Sequence, residues 1–240
     1  MIRAKIKKLA RKIVKKILPD INFSYSQFGE DLIISHLFHQ VNIDKPIYLD
    51  IGANHPRYIS NTYYFYERGG HGVCVEPNPV LYGKLARLRK RDTIINAGIG
   101  LSNEAEADFY LFPYYAHGLS TFSEKEANHW SSVGMKGMGK INYEKKMKMP
   151  LISINTLIKD HLKNAPDLLS IDVEGLDFDI LNSLDFDIYK PKVICAETLA
   201  YDENQKGYKN NTIAELLLSK GYFIYADTYV NTIFCLNELL

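Results

Sequence analysis

The chain opens on a helix-period pattern. Ile2, Ile6, Leu9, Ala10, Ile13, Val14 and Ile17 share one face of residues 1–18. Lys5, Lys7, Lys8, Arg11, Lys12, Lys15 and Lys16 take the opposite face, with Arg3 near the edge, and Pro19-Asp20 ends the helix. Residues 26–40 predict a second, shorter amphipathic helix with Leu32, Ile33, Leu37 and Phe38 turned inward. From there strand-like and helix-like segments alternate. Strands are expected at Ile47–Ile51, Gly72–Glu76, Thr93–Ala97, Leu168–Val173 and Lys192–Glu197. Helices are expected near Ile59–Arg68, Pro79–Lys90 and Leu176–Leu184. Apolar runs separated by helices predict an α/β fold whose parallel sheet is covered on both faces. The chain closes on a helix over Thr212–Lys220, then two strands, Tyr222–Ala226 and Thr232–Leu236, in a hairpin. Residues 101–150 break the alternation: Ala107–Phe112 has a strand pattern, but Met135–Met149 is rich in Gly, Lys and Met without clear period. That stretch is expected to be an insertion over the strand ends, a suitable place for a substrate lid. The domain plan is therefore a basic amphipathic helix over 1–20 and a single domain over 21–240.

The 240 residues suffice for one large core, and 46% hydrophobic with 24% charged residues argue against a disordered chain. No apolar run is long enough to span a bilayer, and no signal-peptide pattern is visible. Cys74, Cys195 and Cys235 are widely spaced and lie in strand-like runs, so they predict buried reduced thiols and a cytoplasmic compartment. The net charge of +1 hides an asymmetry. Residues 1–18 hold eight basic groups and no acid, so the other 222 residues carry −7. Two readings of that helix stand side by side. It can dock on anionic lipid headgroups at the inner face of the membrane, or pack on the domain's own acidic surface. A nucleic-acid arm fits less well, because the body is acidic and aliphatic side chains line the helix.

The sharpest chemical signal is Tyr48-Leu-Asp50-Ile-Gly52-Ala-Asn54 followed by Val73-Cys-Val-Glu76-Pro-Asn-Pro79. Ligands of open α/β sheets bind beyond the carboxyl ends of the strands, where the strand order reverses. Gly52 allows a tight turn and a close approach to main-chain atoms there. Glu76 ends the second strand 24 residues later, where an acid can accept from both ribose hydroxyls. A dinucleotide enzyme would share that acid, but its G-x-G-x-x-G fingerprint is absent, since Ala53, Asn54, His55 and Pro56 follow Gly52. Asp50 before the glycine suits a cofactor with a cationic ammonium and sulfonium and no phosphates. The plainer alternative is a strand–turn–helix with a polar edge. Asn96 and Ala97, ending the third strand, would lie nearest an adenine.

Several blocks together resemble the FkbM-type methyltransferases. Ser26-Gln27-Phe28-Gly29-Glu30-Asp31 is similar to that family's S-Q-x-G-x-D opening, and Asp50 to Pro79, with Ser60-Asn61-Thr62 inside it, to its cofactor half. Leu119-Ser120-Thr121 matches a central motif. Ile154-Asn155-Thr156-Leu157, Leu169-Ser-Ile-Asp172-Val-Glu174-Gly175 and Pro191-Lys-Val-Ile194 match its second half. The resemblance covers about residues 24–200. It implies a class I, Rossmann-like methyltransferase sheet, doubly wound with a terminal antiparallel hairpin, and S-adenosylmethionine as donor. It also implies an oxygen acceptor on a sugar or polyketide-type molecule, and adds Gln27 and Asp31 to the cofactor-binding set. The chain departs from the family at His55-Pro56, where a glycine-containing turn is common, and at Asn155, where aspartate is frequent.

Methyl transfer to a hydroxyl needs alignment and a base for the proton. Asp172 and Glu174 project the same way from the end of the fourth expected strand, and Glu197 ends the fifth. These three are the catalytic candidates, with Asp172 also expected to touch the cofactor. Their plainer role would be capping the next helix. Three such carboxylates could instead hold Mg²⁺, but the neighbouring aspartate pair usual for that is absent, and no metal is assigned. His55, His117 and His129 are alternative bases, and Tyr63, Tyr64, Tyr66, Tyr114 and Tyr115 could stack on a sugar. The rival functions are a nucleic-acid methyltransferase, a dehydrogenase and a non-catalytic Rossmann-like module at the membrane.

Overall fold

The computed structural model describes residues 10, 13–14, 16–18, 21–101, 104–134, 139–173, 175–201 and 206–240. The predicted N-terminal helix therefore lies largely outside the described residues, and so does Glu174. The described strands, in chain order, are β1 (Ile47–Ile51), β2 (His71–Val75), β3 (Thr93–Ile95), β4 (Gly98–Ile99), β5 (Glu106–Leu111) and β6 (Lys145–Ile152). They continue with β7 (Leu168–Ile171), β8 (Val193–Glu197), β9 (Leu199–Tyr201), β10 (Gly207–Lys209), β11 (Tyr222–Asp227) and β12 (Asn231–Leu236).

Seven of them form one sheet in the order β11-β12-β8-β7-β1-β2-β3. Strands β3, β2, β1, β7 and β8 run parallel. Strand β12 enters antiparallel between β8 and β11, which is the expected terminal hairpin. The alternation along each strand sends side chains to two cores. Leu49, Ile51, Val73, Val75, Leu169, Ile171, Ile194 and Ala196 pack on one side with Ile180 and Leu181 of helix Asp177–Ser183 and Leu217 of helix Thr212–Ser219. Tyr48, Cys74, Leu168, Val193 and Cys195 face the other side, against Ile34, Leu37 and Phe38 of helix Glu30–Gln40 and Phe65 of helix Tyr63–Glu67. Each of these large side chains contributes about 1.5–3 kcal/mol on burial, which is why strands with two apolar faces sit mid-sheet. The three cysteines are free and buried.

Strand β2 stops one residue before its expected end, at Val75, and two others stop two residues short for identifiable reasons. Strand β3 ends at Ile95 because Asn96 turns back, its Nδ2 donating to the carbonyls of Glu76 (2.8 Å) and Pro77 (2.9 Å). Strand β7 ends at Ile171, where the chain meets the turn after β1.

The insertion is more regular than its sequence suggests. Strand β6 starts at Lys145, within the stretch expected to lack period, and pairs antiparallel with β5. Its Lys146 and Lys148 flank Asp108 across the pair, both at 3.1 Å. The alternation of those lysines with Met147 and Met149 is a period of two that becomes decisive only once β5 supplies a partner. Helix Glu124–Ser132, capped by the Ser123 hydroxyl on the Glu126 amide, fills the space between, with Tyr110, Phe112, Leu119, Ala127 and Ile141 as a small core of its own. No helix among the described residues is long and apolar enough to cross a membrane.

Candidate functional site

From β1 the chain winds through β2 to β3 on one side, then returns through β7 and β8 on the other, so the strand order reverses at β1. A cleft of about 690 Å³, counted together with the open solvent at its mouth, lies at that point. Gly52, with φ of +78°, forms its floor. A Cβ there would stand 1.9 Å from the carbonyl oxygen of Asp172, so only glycine lets the turn after β1 lie against the end of β7. The amides of Gly52 and Ala53 both donate to the carbonyl of Val75, at 3.1 Å each, which locks the turn to β2.

Glu76 follows β2 and is buried beside the cleft. Its two carboxylate oxygens accept from the backbone amides of Asn54 (2.7 Å) and Asn78 (2.8 Å). Burial pushes its pKa up to about 7, against the lowering effect of those amides. Asn54 holds a left-handed backbone (φ +51°), and its Oδ1 is buried without a hydrogen-bond partner in the protein. An orphaned acceptor in a cleft is a place for a ligand's N–H or O–H. Ala97 lines the cleft, whereas Asn96 lies behind it, holding the Glu76 main chain.

Asp172 follows β7, on the other side of β1 from Glu76, and is exposed where it lines the cleft. Its carboxyl group is hydrogen-bonded to that of Glu197 at the end of β8, and burial raises its pKa against that bond. Two carboxyl groups in contact share a proton, because both cannot ionise cheaply. Asp177 behind it accepts from the Val173 amide (3.2 Å) and is pushed up to about 7 by burial and by Asp172.

The other candidates are elsewhere. Asp50 is buried, does not line the cleft, and accepts from the Thr62 hydroxyl; burial moves it up to about 6, against the Arg89 guanidinium. Asp31 is taken up by the hydroxyls of Ser24 (2.7 Å) and Ser26 (3.0 Å) and the amide of Tyr25 (2.7 Å). Gln27 borders a separate surface depression with Arg57 and Tyr58.

The Methyltransferase FkbM domain matches residues 50–224 of the 240. The chain belongs to the FkbM methyltransferase family. Its sheet is accordingly that of a class I methyltransferase, and S-adenosylmethionine is its methyl donor. Among solved structures it is similar to methyltransferase FkbM from Methylobacillus flagellatus, at 12% identity and TM-score 0.42, over 80% of this chain and 44% of that one. It is also similar to an S-adenosylmethionine-dependent methyltransferase from Clostridium acetobutylicum (10% identity, 96% and 98% of the two chains, TM-score 0.45). A third is 1,6-didemethyltoxoflavin-N1-methyltransferase from Burkholderia thailandensis, with bound S-adenosylhomocysteine (11% identity, 97% and 87%, TM-score 0.40). No curated protein matches the chain.

The cleft has a further wall, in which Phe109 and Phe122 were not singled out by the sequence. Phe109, Ser120, Thr121 and Phe122 of the insertion line the cleft, as does His117, whose Nδ1 is buried without a partner. Burial and Lys84 lower the pKa of His117. Leu119-Ser120-Thr121 and the candidate base His117 were the signals for this wall, and the structure puts Ser120, Thr121 and His117 there. His55 Nδ1 accepts from the amides of Arg57 (3.2 Å) and Tyr58 (3.0 Å), and His129 does not line the cleft. Tyr64 and Tyr66 are buried in the sheet's second core rather than presented to a sugar, and Tyr114 and Tyr115 are exposed. No lysine or arginine among the described residues lines the cleft.

Proposed function

We propose that this protein transfers the methyl group of S-adenosylmethionine to a hydroxyl of a sugar or glycan-type small molecule. The observation that carries the reading is Asp172, which lines the cleft opposite Glu76 and is hydrogen-bonded to Glu197 beside it. Gly52, Asn54, Glu76 and Ala97 suit the donor: a carboxylate for ribose hydroxyls, an orphaned acceptor, a main chain free of side chains, and no cation for a phosphate. When bound, S-adenosylmethionine supplies an electrophilic methyl on a sulfonium. Asp172 accepts the acceptor's hydroxyl proton as its oxygen attacks, and Glu197 keeps Asp172 oriented and shares the proton afterwards. The insertion wall, with Phe109, Thr121 and Phe122, excludes water from the far side. The absence of basic lining among the described residues also speaks against a nucleic-acid acceptor. The test is production of S-adenosylhomocysteine in a screen of nucleotide- and lipid-linked sugars. Methylation of an amine in preference to every hydroxyl offered would replace this reading.

The location belongs to the same proposal. The basic segment at 1–18 docks the enzyme on an anionic inner-leaflet surface, near a lipid-linked or membrane-processed acceptor. Support comes from the eight basic residues ahead of a body of charge −7, and from Ile13 and Ile17, one helical turn apart and at least half exposed. Each cation near such a surface contributes up to about 1 kcal/mol. Deleting residues 1–18 should release the protein from anionic vesicles and spare turnover of a soluble acceptor analogue. Indifference of the full chain to those vesicles at low salt would assign the helix to packing or dimerisation.

A further inference from the structure

Behind the donor site lies a buried cation that the chemistry above does not use. Arg89, at the end of helix Pro79–Leu88, is 1% exposed. Its Nε donates to Asp92 at 2.7 Å, and its Nη2 to the Tyr48 hydroxyl (3.1 Å) and the Thr62 hydroxyl (2.9 Å). Nη1 reaches the carbonyl of Pro56 at 3.4 Å, and the guanidinium lies over the Tyr66 ring at 4.8 Å. Burying such an ion is costly, and a pair of apolar residues would serve stability as well or better. Its partners show what else it does. Pro56 and Thr62 bracket the turn after β1, an irregular stretch in which Asn54 and Ile59 both hold positive φ, +51° and +50°. Thr62 passes the contact on, accepting from Arg89 and donating to Asp50.

We infer that Arg89 is a positioning residue for the donor site, holding the 54–61 turn through Pro56 and the Asp50 carboxylate through Thr62. The inference rests on the donor-site reading of Gly52, Asn54 and Glu76 proposed above. Arg89 touches neither cleft nor ligand; it acts by fixing the shape into which the cofactor fits. One oxygen of the Asp50 carboxylate is thereby fixed behind the cleft, so the turn that Asp50 and Arg89 support is set before any ligand enters. The charged and titratable groups that face Asp50 are Arg89 and Asp92 from the turn before β3, Cys74 and Glu76 from β2 and its end, Asp172 after β7, and Cys195 from β8.

Thr62→Val removes the hydroxyl relay at constant shape, and Thr62→Ser restores it. Two readouts apply to the full chain: affinity for S-adenosylhomocysteine and S-adenosylmethionine across pH 5–8, and amide exchange of residues 54–61 without ligand. Thr62→Val is expected to weaken S-adenosylmethionine binding by about 10- to 100-fold. It should also speed exchange in the turn, and shift the acid-side loss of affinity to higher pH, since Asp50 loses a hydrogen bond that favours its ionised form. Thr62→Ser should return all three toward the parent. If Thr62→Val does not fold, Arg89→Lys, which keeps the charge but not the fork, is compared in the same way. Parent-like affinity, pH profile and exchange with only a lowered melting temperature would overturn the inference. Failure of the parent protein to bind either ligand would instead overturn the donor-site reading.

Discussion

The two sides of the cleft are built differently. On the donor side, Glu76 is held by two backbone amides, the Gly52 turn is tied by amides to Val75, and both sit on strands paired along their whole length. On the acceptor side, Asp172 relies on a side-chain partner, Glu197, and the facing wall comes from an insertion with its own small core. Main-chain contacts persist through most substitutions, whereas side-chain pairs and inserted walls change with one residue. A donor common to many reactions therefore suits the first construction and a particular acceptor the second.

The largest effect that would test this division is on turnover. Asp172→Asn should bind S-adenosylmethionine normally yet lose methyl transfer by about 10²–10⁴-fold in kcat. Full activity would move the base to Glu197 or Glu174 and erase the contrast between the sides. Next comes Gly52→Ala. With the Asp172 carbonyl 1.9 Å from the new Cβ and φ at +78°, the fold should lose about 2–5 kcal/mol in denaturant titration, along with cofactor binding. An unperturbed variant would mean that the β1–β7 approach is looser than described. Smaller again is Glu76→Ala, expected to weaken S-adenosylmethionine binding by about 1.5–3 kcal/mol in calorimetry with the fold intact. Unchanged affinity there would remove the donor side from the comparison.

The mildest test is pH. Glu76 and Asp50 have pKa values raised to about 7 and about 6, and the cationic cofactor favours their ionised forms. Affinity should therefore fall as pH drops through 7 toward 6, with protons released on binding near neutrality, seen as a buffer-dependent heat. The same shifts act on folding with the opposite slope. Raised folded-state values favour the cofactor-free fold most below the ordinary 3.8–4.5, and that contribution is lost as pH rises through 6–7. A binding heat independent of buffer would show that neither acid changes its protonation.

The parts legible in the sequence were those set by neighbours along the chain. The apolar runs expected at Ile47–Ile51 and Lys192–Glu197, and the Gly52 to Glu76 spacing, depend on residues within a strand or one βαβ step, so local pattern carries them. The resemblance in several blocks carried the family by the same logic of order and spacing. Three features needed the folded chain. Asp172 meets Gly52 across 120 residues only because β7 inserts beside β1. The insertion becomes a wall only when β5 finds β6. Arg89 follows a helix amid other basic residues and has the look of a solvated surface charge, yet it is buried, because Asp92, Tyr48, Thr62 and Pro56 close around it. A side chain's own chemistry states what it needs, and only the packed structure decides whether water or protein supplies it.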